Sequence, residues 1–486
     1  MNRVVLRGEL RLLIRDPAVQ VALFVLLAAL AAAVAQGLLR HDRLLTDLAE
    51  RLYEDAARLE AVKWQAIRLK EQGGEISPFR DPRNADVVGR RLGVQHPMLP
   101  PTALGSLSVG QSDLHAAWQL VSLDPPDRLL AEGEFAHPRQ LAIGRFDVSF
   151  VVVYLAPLLL LGLLAVNPAR EREEGMLPML ALQSGRLDAW LGLRSALRFG
   201  LVAVPILLAG AGVVLWHGES GYEAVGEDPA AAQTGLRYLL WALQVVVYLT
   251  FWTTLGAWVG TLPLDTVRTA LALAGAWLMV VVLLPAVANV SLELRHPQPS
   301  RIEYVDAMRA ATDAARAEGS AVLAQYLEDH PEMAGEDVDF DDFFAQRLLV
   351  QERVQDALQP LSERFEQQRQ ARSRQVAALR LLSPAMLAMD GLADAAGTGE
   401  ARQQDFQRQV QAQHETWREF FMPRVLTGEA FLDHDAIPGF ERTEESASSL
   451  LARAAIPLLL PTLLATFFTT LALRRSRRLH KVVAGR

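Results

Sequence analysis

The chain contains no cysteine in its 486 residues. Disulfide bonds are therefore excluded, including in any part of the chain that reaches an oxidising compartment, and such parts must be held together by packing alone. Lysine is almost as scarce, with only Lys63, Lys70 and Lys481. A P-loop needs GxxxxGK[ST], in which the lysine neutralises phosphate, and none of these lysines has that setting. If ATP drives this protein, the ATP binds elsewhere than on this chain.

The apolar residues, 51% of the chain, are concentrated in blocks rather than spread evenly. A helix of about 20 apolar residues crosses the roughly 30 Å hydrocarbon core of a bilayer. We therefore expect six transmembrane helices, the first of them uncleaved because no small-residue cleavage site follows it. The blocks are 18–39, 147–167, 191–216, 236–260, 267–290 and 454–473.

These blocks contain almost no ionisable side chain away from their ends. Arg194 and Arg198 lie near the start of the third block, where they can extend to the interface. Proton- or sodium-coupled carriers normally keep carboxylates at mid-membrane. The sequence therefore argues against a secondary transporter.

Basic residues at both ends of the chain predict its orientation. With six spans both termini lie on one side, and the positive-inside rule makes that side cytoplasmic. Loop 217–235 is acidic and has no Lys or Arg, as expected for the outer side. We expect a bacterial inner-membrane protein with inserts 40–146 and 291–452 outside. The terminal cations are Arg3, Arg7, Arg11, Arg15, Arg474, Arg475, Arg477, Arg478, Lys481 and Arg486.

The net charge of −8 comes mainly from the two inserts. Nucleic-acid surfaces need clustered cations, so no nucleic-acid partner is expected. The first transmembrane helix should continue into insert 40–146 until Gly73-Gly74. In insert 291–452, apolar residues at three- and four-residue spacing predict helices over 302–328, 340–382 and 400–422.

Two segments carry charge in a pattern typical of a membrane machine. Residues 3–16 form an amphipathic helix that Pro17 separates from the first span; it is either a lipid-held anchor or an elbow helix. The second block should stop at Asn167-Pro168, before a mixed-charge run at 170–174 and the amphipathic stretch 176–182. The run is either a solvated stop-transfer loop or a docking element, and its mixed sign favours docking. Loop 260–265 is a weaker second candidate.

Both segments resemble ABC-2 type transporter permeases. Glu171-Arg172-Glu173-Glu174-Gly175-Met176-Leu177 resembles the coupling segment that contacts the ATP-binding subunit, with Met176 where threonine is usual. Glu9 to Pro17 resembles the elbow helix. The resemblance implies coupling residues Glu171, Arg172, Glu173, Gly175 and Leu177, and elbow residues Glu9, Arg11, Arg15 and Asp16.

Both inserts also resemble a subset of these permeases with large outer domains. The passage from His96 to Leu114 is similar to PPxPLxxLxVGQSDLxP, without its final proline. Residues 382–406 resemble the DUF3526 domain, with markers Ser383-Pro384, Ala396-Gly397-Thr398 and Ile437-Pro438-Gly439-Phe440.

The resemblance implies an all-α polytopic permease subunit of an ATP-driven exporter, itself not an enzyme and without a bound cofactor. ATP and Mg²⁺ would lie in a separate ATP-binding subunit, and a second permease subunit, identical or different, would complete the path. The bilayer and an extracytoplasmic protein are further partners. The expected division is an elbow helix 1–17, spans at 18–39, 147–167, 191–290 and 453–473, a coupling helix 168–190, outer domains 40–146 and 291–452, and a basic tail 474–486.

Two alternatives remain open. The chain could transmit force to an outer partner without translocation, which a dry interface between the spans would favour. It could also be a membrane-anchored hydrolase or metal-delivery protein. Against the second, His414-Glu415-Thr416-Trp417-Arg418 lacks the second histidine of a zinc-protease helix. Asp433-His434-Asp435 and the acidic run 337–342 are better interpreted as solvated loops.

Overall fold

The computed structural model of the protein describes residues 3–73, 76–124, 146–176, 179, 187–219, 231–295, 300–318, 343–428 and 430–484. Strand pairing in these ranges is limited to two isolated antiparallel bridges. The predicted all-α class is confirmed. The principal helices are α1 (Arg3–Arg15), α2 (Pro17–Gln72), α3 (Val148–Glu173), α4 (Leu187–Glu219), α5 (Thr234–Gly260), α6 (Thr266–Arg295), α7 (Arg301–Glu318), α8 (Phe343–Arg380), α9 (Pro384–Ala395), α10 (Glu400–Thr427) and α11 (Ala447–Ala484).

Six of these helices, α2 to α6 and α11, are long and apolar enough to cross a membrane. These six helices coincide with the six apolar blocks. Such a set of long apolar helices is typical of a membrane protein. The apolar windows of α3 and α5 are 67% and 61% buried, against 11–28% for the other four. Helices α3 and α5 therefore form the centre of a bundle, and the others pack around them.

Helix α2 runs for 56 residues without a break, about 84 Å at 1.5 Å per residue. It begins where Asp16 Oδ1 accepts a hydrogen bond from Ala18 N at 2.9 Å, with Pro17 in the first turn. It ends at Gly73, whose φ of 66° is positive, a conformation that glycine adopts without steric cost. The predicted continuation into the first insert and its stop at Gly73 are confirmed.

Helix α3 passes the point where the sequence predicted a stop. It continues through positions 167 and 168 to Glu173, so the expectation of a break at Asn167-Pro168 was wrong. Neighbouring helices in a bundle can compensate for the hydrogen bond that a proline removes. The actual end is a Schellman motif, in which Gly175 has φ 69°. Met176 N donates to Glu171 O at 2.8 Å and Gly175 N to Arg172 O at 3.2 Å.

The two inserts share one hydrophobic core. Val88 and Leu123 of the first insert pack with Phe406, Trp417 and Phe421 of the second. Trp417 Nε1 also donates to Gly89 O at 3.0 Å. Residues 40–146 and 291–452 were expected as separate domains, but the described parts of both build this core together.

Helix α9 belongs to the second insert by sequence and to the bundle by packing. It is bent by 117° relative to α8, as in a re-entrant loop or a broken span. Its buried Ala385, Ala388 and Leu392 lie in the same core as Trp241 and Val152 of α5 and α3. The insertion of α9 into the bundle was not predicted from the sequence.

Candidate functional site

One end of the bundle carries most of the residues that the sequence singled out. We call it the charged end: α1, the C-terminus of α3, the start of α4 and the α5–α6 loop, 260–266. Helix α1 buries Leu13 and presents Glu9 to α4, whereas Arg11 and Arg15 are exposed. Asp16 caps α2 and links the two helices.

Arg194 on α4 joins two helices at the charged end. Its Nε donates to Glu9 Oε2 of α1 at 2.8 Å, and its Nη1 donates to Glu171 Oε1 of α3. The guanidinium also lies over the Trp190 ring, 4.0 Å from its centroid. One planar cation with several donors suits two carboxylates better than a lysine would. The side chain of Arg198, one turn further along α4, is buried and donates to Arg194 O at 3.1 Å.

Arg172 binds the loop that follows α5. Its Nη2 donates to Gly260 O at 2.8 Å and its Nη1 to Leu264 O at 3.0 Å and to Leu262 O. The last carbonyls of a helix have no partner within the helix, and a cation near them is favourable. Arg475 of α11 adds a bond to Thr261 O at 3.2 Å.

Glu173 binds the beginning of the next helix. Its carboxylate accepts from Thr266 N at 2.9 Å and from Thr266 Oγ1 at 2.8 Å. The unpaired N–H groups at the start of α6 favour a negative charge. The neighbouring residues Arg172 and Glu173 thus hold both ends of loop 260–266.

The turn after α3 is the exposed part of the charged end. Arg170 Nε donates to Glu174 Oε1 at 2.7 Å, and both side chains are largely exposed. Gly175 is exposed, and Met176 and Met179 expose 45% and 57% of their surface. Leu177 lies outside the described residues. A charged rim around exposed methionines is a surface suited to protein contact.

The structure brings together Glu9, Glu171, Arg172 and Glu173 of the predicted set. It does not bring Arg11 or Arg15 into these contacts. Sequence reasoning missed the roles of Arg194, Trp190 and Thr266. Trp190, Arg194 and Arg198 stand four residues apart, so they share one helix face, which was the available signal.

A second charged cluster lies at the opposite end of the bundle, where it meets the inserts. Arg237 of α5 is fully buried beside Glu444 and Glu445, at 3.7 and 3.3 Å. Arg402 of α10 donates to Glu444 at 2.6 Å. Burial raises the pKa of Glu444, but the nearby guanidinium groups of Arg402, Arg442 and Arg237 outweigh it, and the pKa lies below its usual value.

Two small voids lie within the bundle, one beside Gln244 and Asp394 and one beside Leu26 and Leu163. The larger of these two holds about 10 Å³, about the space that one water needs. No three His, Asp or Glu side chains in the described ranges converge as metal ligands. His434, expected in a solvated loop, is buried, and so is His414; a ring nitrogen of His414 lies 3.2 Å from Leu120 O and one of His434 lies 3.0 Å from Pro82 O.

The fold and its long apolar helices define the class, an all-α membrane protein. Residues 301–442 match the family model of DUF3526, a domain of unknown function. This match lies within 291–452, where the sequence resembled that family, so the DUF3526 prediction is confirmed for the segment. No curated protein and no solved structure matches the chain.

Proposed function

We propose that the chain is the membrane permease subunit of an ATP-driven ABC-2 type transporter, an exporter of the bacterial inner membrane. The observation that carries the proposal is the charged end. There, the elbow-like helix α1 and the ERE-containing end of α3 are joined by Arg194, beside a turn that exposes Met176 and Met179. The resemblance to ABC-2 permeases assigns these two segments to contact with the motor.

The contacts suggest a role for three of the predicted coupling residues, Glu171, Arg172 and Glu173. Arg170, Glu174 and the exposed methionines form the surface for the ATP-binding subunit. Glu171, Arg172 and Glu173 lie behind that surface and connect it to α1, α4 and loop 260–266. Closure of the motor would displace the turn after α3, and these bonds would carry the displacement to the spans.

Topology and stoichiometry follow from the same proposal. Six spans would place both basic termini in the cytoplasm and both inserts outside, in agreement with Glu9 and Arg475 contacting one end of the bundle. One chain has too few helices to enclose a path, so a second permease subunit would complete it. ATP and Mg²⁺ would bind to the motor alone, and this chain would not be an enzyme.

The test is affinity purification of this chain from membranes that also express its genomic neighbours, in search of a co-purifying ATPase. The variant Arg170→Glu/Glu174→Arg keeps the local ion pair but reverses the exposed rim. We expect wild type to retain the ATPase and the variant to lose it about tenfold or more. The control is Asp405→Arg/Arg408→Asp, a comparably exposed pair on α10. The proposed surface is contradicted if the Arg170/Glu174 variant still retains the ATPase. It is also contradicted if the control variant loses the ATPase as well.

A second candidate is force transmission to an outer partner without translocation. The 56-residue helix α2, which reaches far into the first insert, favours it. Because the chain has no cysteine, single cysteines at Gln244 and Val202 can report solvent access in the complex. If a polar thiol reagent labels these cysteines to an extent that changes with nucleotide, the result supports translocation. If the cysteines stay unlabelled with and without nucleotide, the result supports force transmission. The third possibility was a hydrolase or metal-delivery protein, and the described residues contain no cluster of three His, Asp or Glu side chains that could hold a metal ion.

A further inference from the structure

Helix α9 is surrounded by apolar bundle helices, yet both of its ends are capped within its own segment. Ser383 Oγ accepts from Ala385 N at 3.2 Å at the start. At the end, Thr398 N donates to Ala393 O at 2.9 Å and Gly397 N to Asp394 O at 3.1 Å, a second Schellman motif. Unpaired backbone groups are costly in such surroundings, so these caps make α9 a stable unit inside the bundle.

The Ser383 hydroxyl also reaches another helix. It donates to Val280 O at 2.6 Å, in a π-helical turn of α6 that spans Leu278–Leu283. A π turn interrupts the regular hydrogen-bond ladder and leaves a carbonyl open to an outside donor.

The other π-helical turn of the bundle, Val151–Leu155 in α3, shows the same pattern. Tyr248 Oη donates to Val153 O at 2.9 Å, and Trp277 Nε1 donates to Tyr154 O at 3.2 Å. Those donors belong to bundle helices. Ser383 belongs to the second insert, so its bond links the insert to the bundle at a point where α6 departs from regular geometry.

The other end of α9 is held by two further helices. Arg237 of α5 donates to Asp394 O at 3.3 Å, and Arg453 of α11 lies 3.9 Å from the Asp394 carboxylate. Gly391 packs so closely that an added Cβ would lie 2.9 Å from Gln244 Oε1 and 3.0 Å from Pro457 Cβ. Helix α9 is therefore fastened to α6 at its start and to α5 and α11 at its end.

We propose that α9 is a rigid joint that transfers displacement of α6 to the second insert through the Ser383–Val280 hydrogen bond. This inference rests on the proposed function, because α6 begins at Thr266, which Glu173 holds beside the docking turn. A displacement of that turn would move α6, then α9 through Ser383, and then α10 through the short connection 396–399. The joint gives the DUF3526-like segment a mechanical connection to the motor.

The joint is tested by hydrogen exchange on the full chain in lipid nanodiscs, with no ATPase present. Ser383→Ala should speed amide exchange roughly fivefold in both α9 and the π turn 278–283. Ser383→Thr should restore it. Ser291→Ala is the matched control, because Ser291 Oγ bonds only within α6, to Ala288 O at 2.7 Å. Unchanged exchange in 278–283 on Ser383→Ala would overturn the proposal, since loss of the α9 cap alone would not reach α6.

A double-mutant cycle separates coupling from simple support. Glu173→Ala loosens the start of α6, and in the presence of Ser383 it should also speed exchange in α9. In the Ser383→Ala background that distant effect should fall by a factor of about two or more. Independent effects would overturn the joint while leaving the ATPase proposal untouched. Should Ser383→Ala not fold, Ser383→Gly, which has no donor for Val280 O and is tolerated at an N-cap, takes its place in the cycle.

Discussion

At the residue scale, the least exposed charged side chains at both ends of the bundle have partners within the chain, as Arg194 and Arg237 show. Arg194 was expected only to extend to the interface, yet it joins Glu171, 23 residues away, and Glu9, 185 residues away. The resemblance implied that Glu171 and Glu173 face the ATP-binding subunit, whereas in the structure they bind Arg194 and Thr266 of the same chain. The sequence did not predict these partners, because such pairings depend on how helices distant in sequence pack together.

Arg194→Ala should destabilise the charged end, because it leaves two carboxylates without their cation. The side chains of Glu9 and Glu171 are only 12% and 14% exposed, so we expect a loss of about 2 kcal/mol. Arg194→Lys should recover only part of this, since an ammonium cannot reproduce both planar contacts. The midpoint of thermal unfolding in nanodiscs measures the effect. Arg408→Ala, at an exposed pair, should change it little, and an equal loss there would contradict the account.

Glu444 predicts how the insert end responds to acid. Its pKa is held below the usual 4.5 in the folded chain, so its contribution to stability is full above 4.5 and is lost as pH falls through the folded value. Glu444→Gln should therefore be less stable at neutral pH and lose less on acidification. Unfolding midpoints recorded against pH check this. Glu415→Gln, at an exposed position of α10, should show the same dependence of the unfolding midpoint on pH as the wild type. If Glu444→Gln shows that same dependence too, the prediction is wrong.

At the element scale, hydropathy predicted the long helices well and their ends less well. A 20-residue apolar block is decisive, but the twelve residues of α9 are too few to distinguish a re-entrant helix from a helix in a soluble core. Pro168 was over-weighted as a stop, because neighbouring helices in a bundle accommodate proline. The end of α3 is instead set by Gly175, whose positive φ forms the Schellman turn.

Gly175→Ala should therefore disturb the end of α3. A side chain at φ 69° costs about 1 kcal/mol, although nothing lies within 4 Å of the added Cβ. Gly162→Ala in the same helix also meets open space, but at helical dihedrals it should be neutral or slightly stabilising. Hydrogen exchange at 171–176 compares the two. Equal exchange in both variants would mean that the Schellman turn does not hold this end of α3.

At the scale of the whole molecule, the chain connects two ends through continuous helices. The charged end gathers α1, α3, α4 and loop 260–266, and the insert end gathers α5, α9, α10 and α11 around Arg237. The resemblance in sequence singled out α1 and the end of α3, and Arg194 joins these two segments in the structure. The shared core of the two inserts and the insertion of α9 arise from long-range packing, which a single sequence does not display.

The most direct test of the account asks whether the exposed turn touches a separate ATPase. Because the chain lacks cysteine, Met179→Cys and Ile302→Cys each introduce one reactive thiol, at positions 57% and 74% exposed. A short thiol-to-amine cross-linker is applied to membranes that contain the chain together with the products of its neighbouring genes. The account predicts a cross-linked product with the ATPase from Met179→Cys and none from Ile302→Cys. No product at position 179, or equal products at both positions, would contradict it.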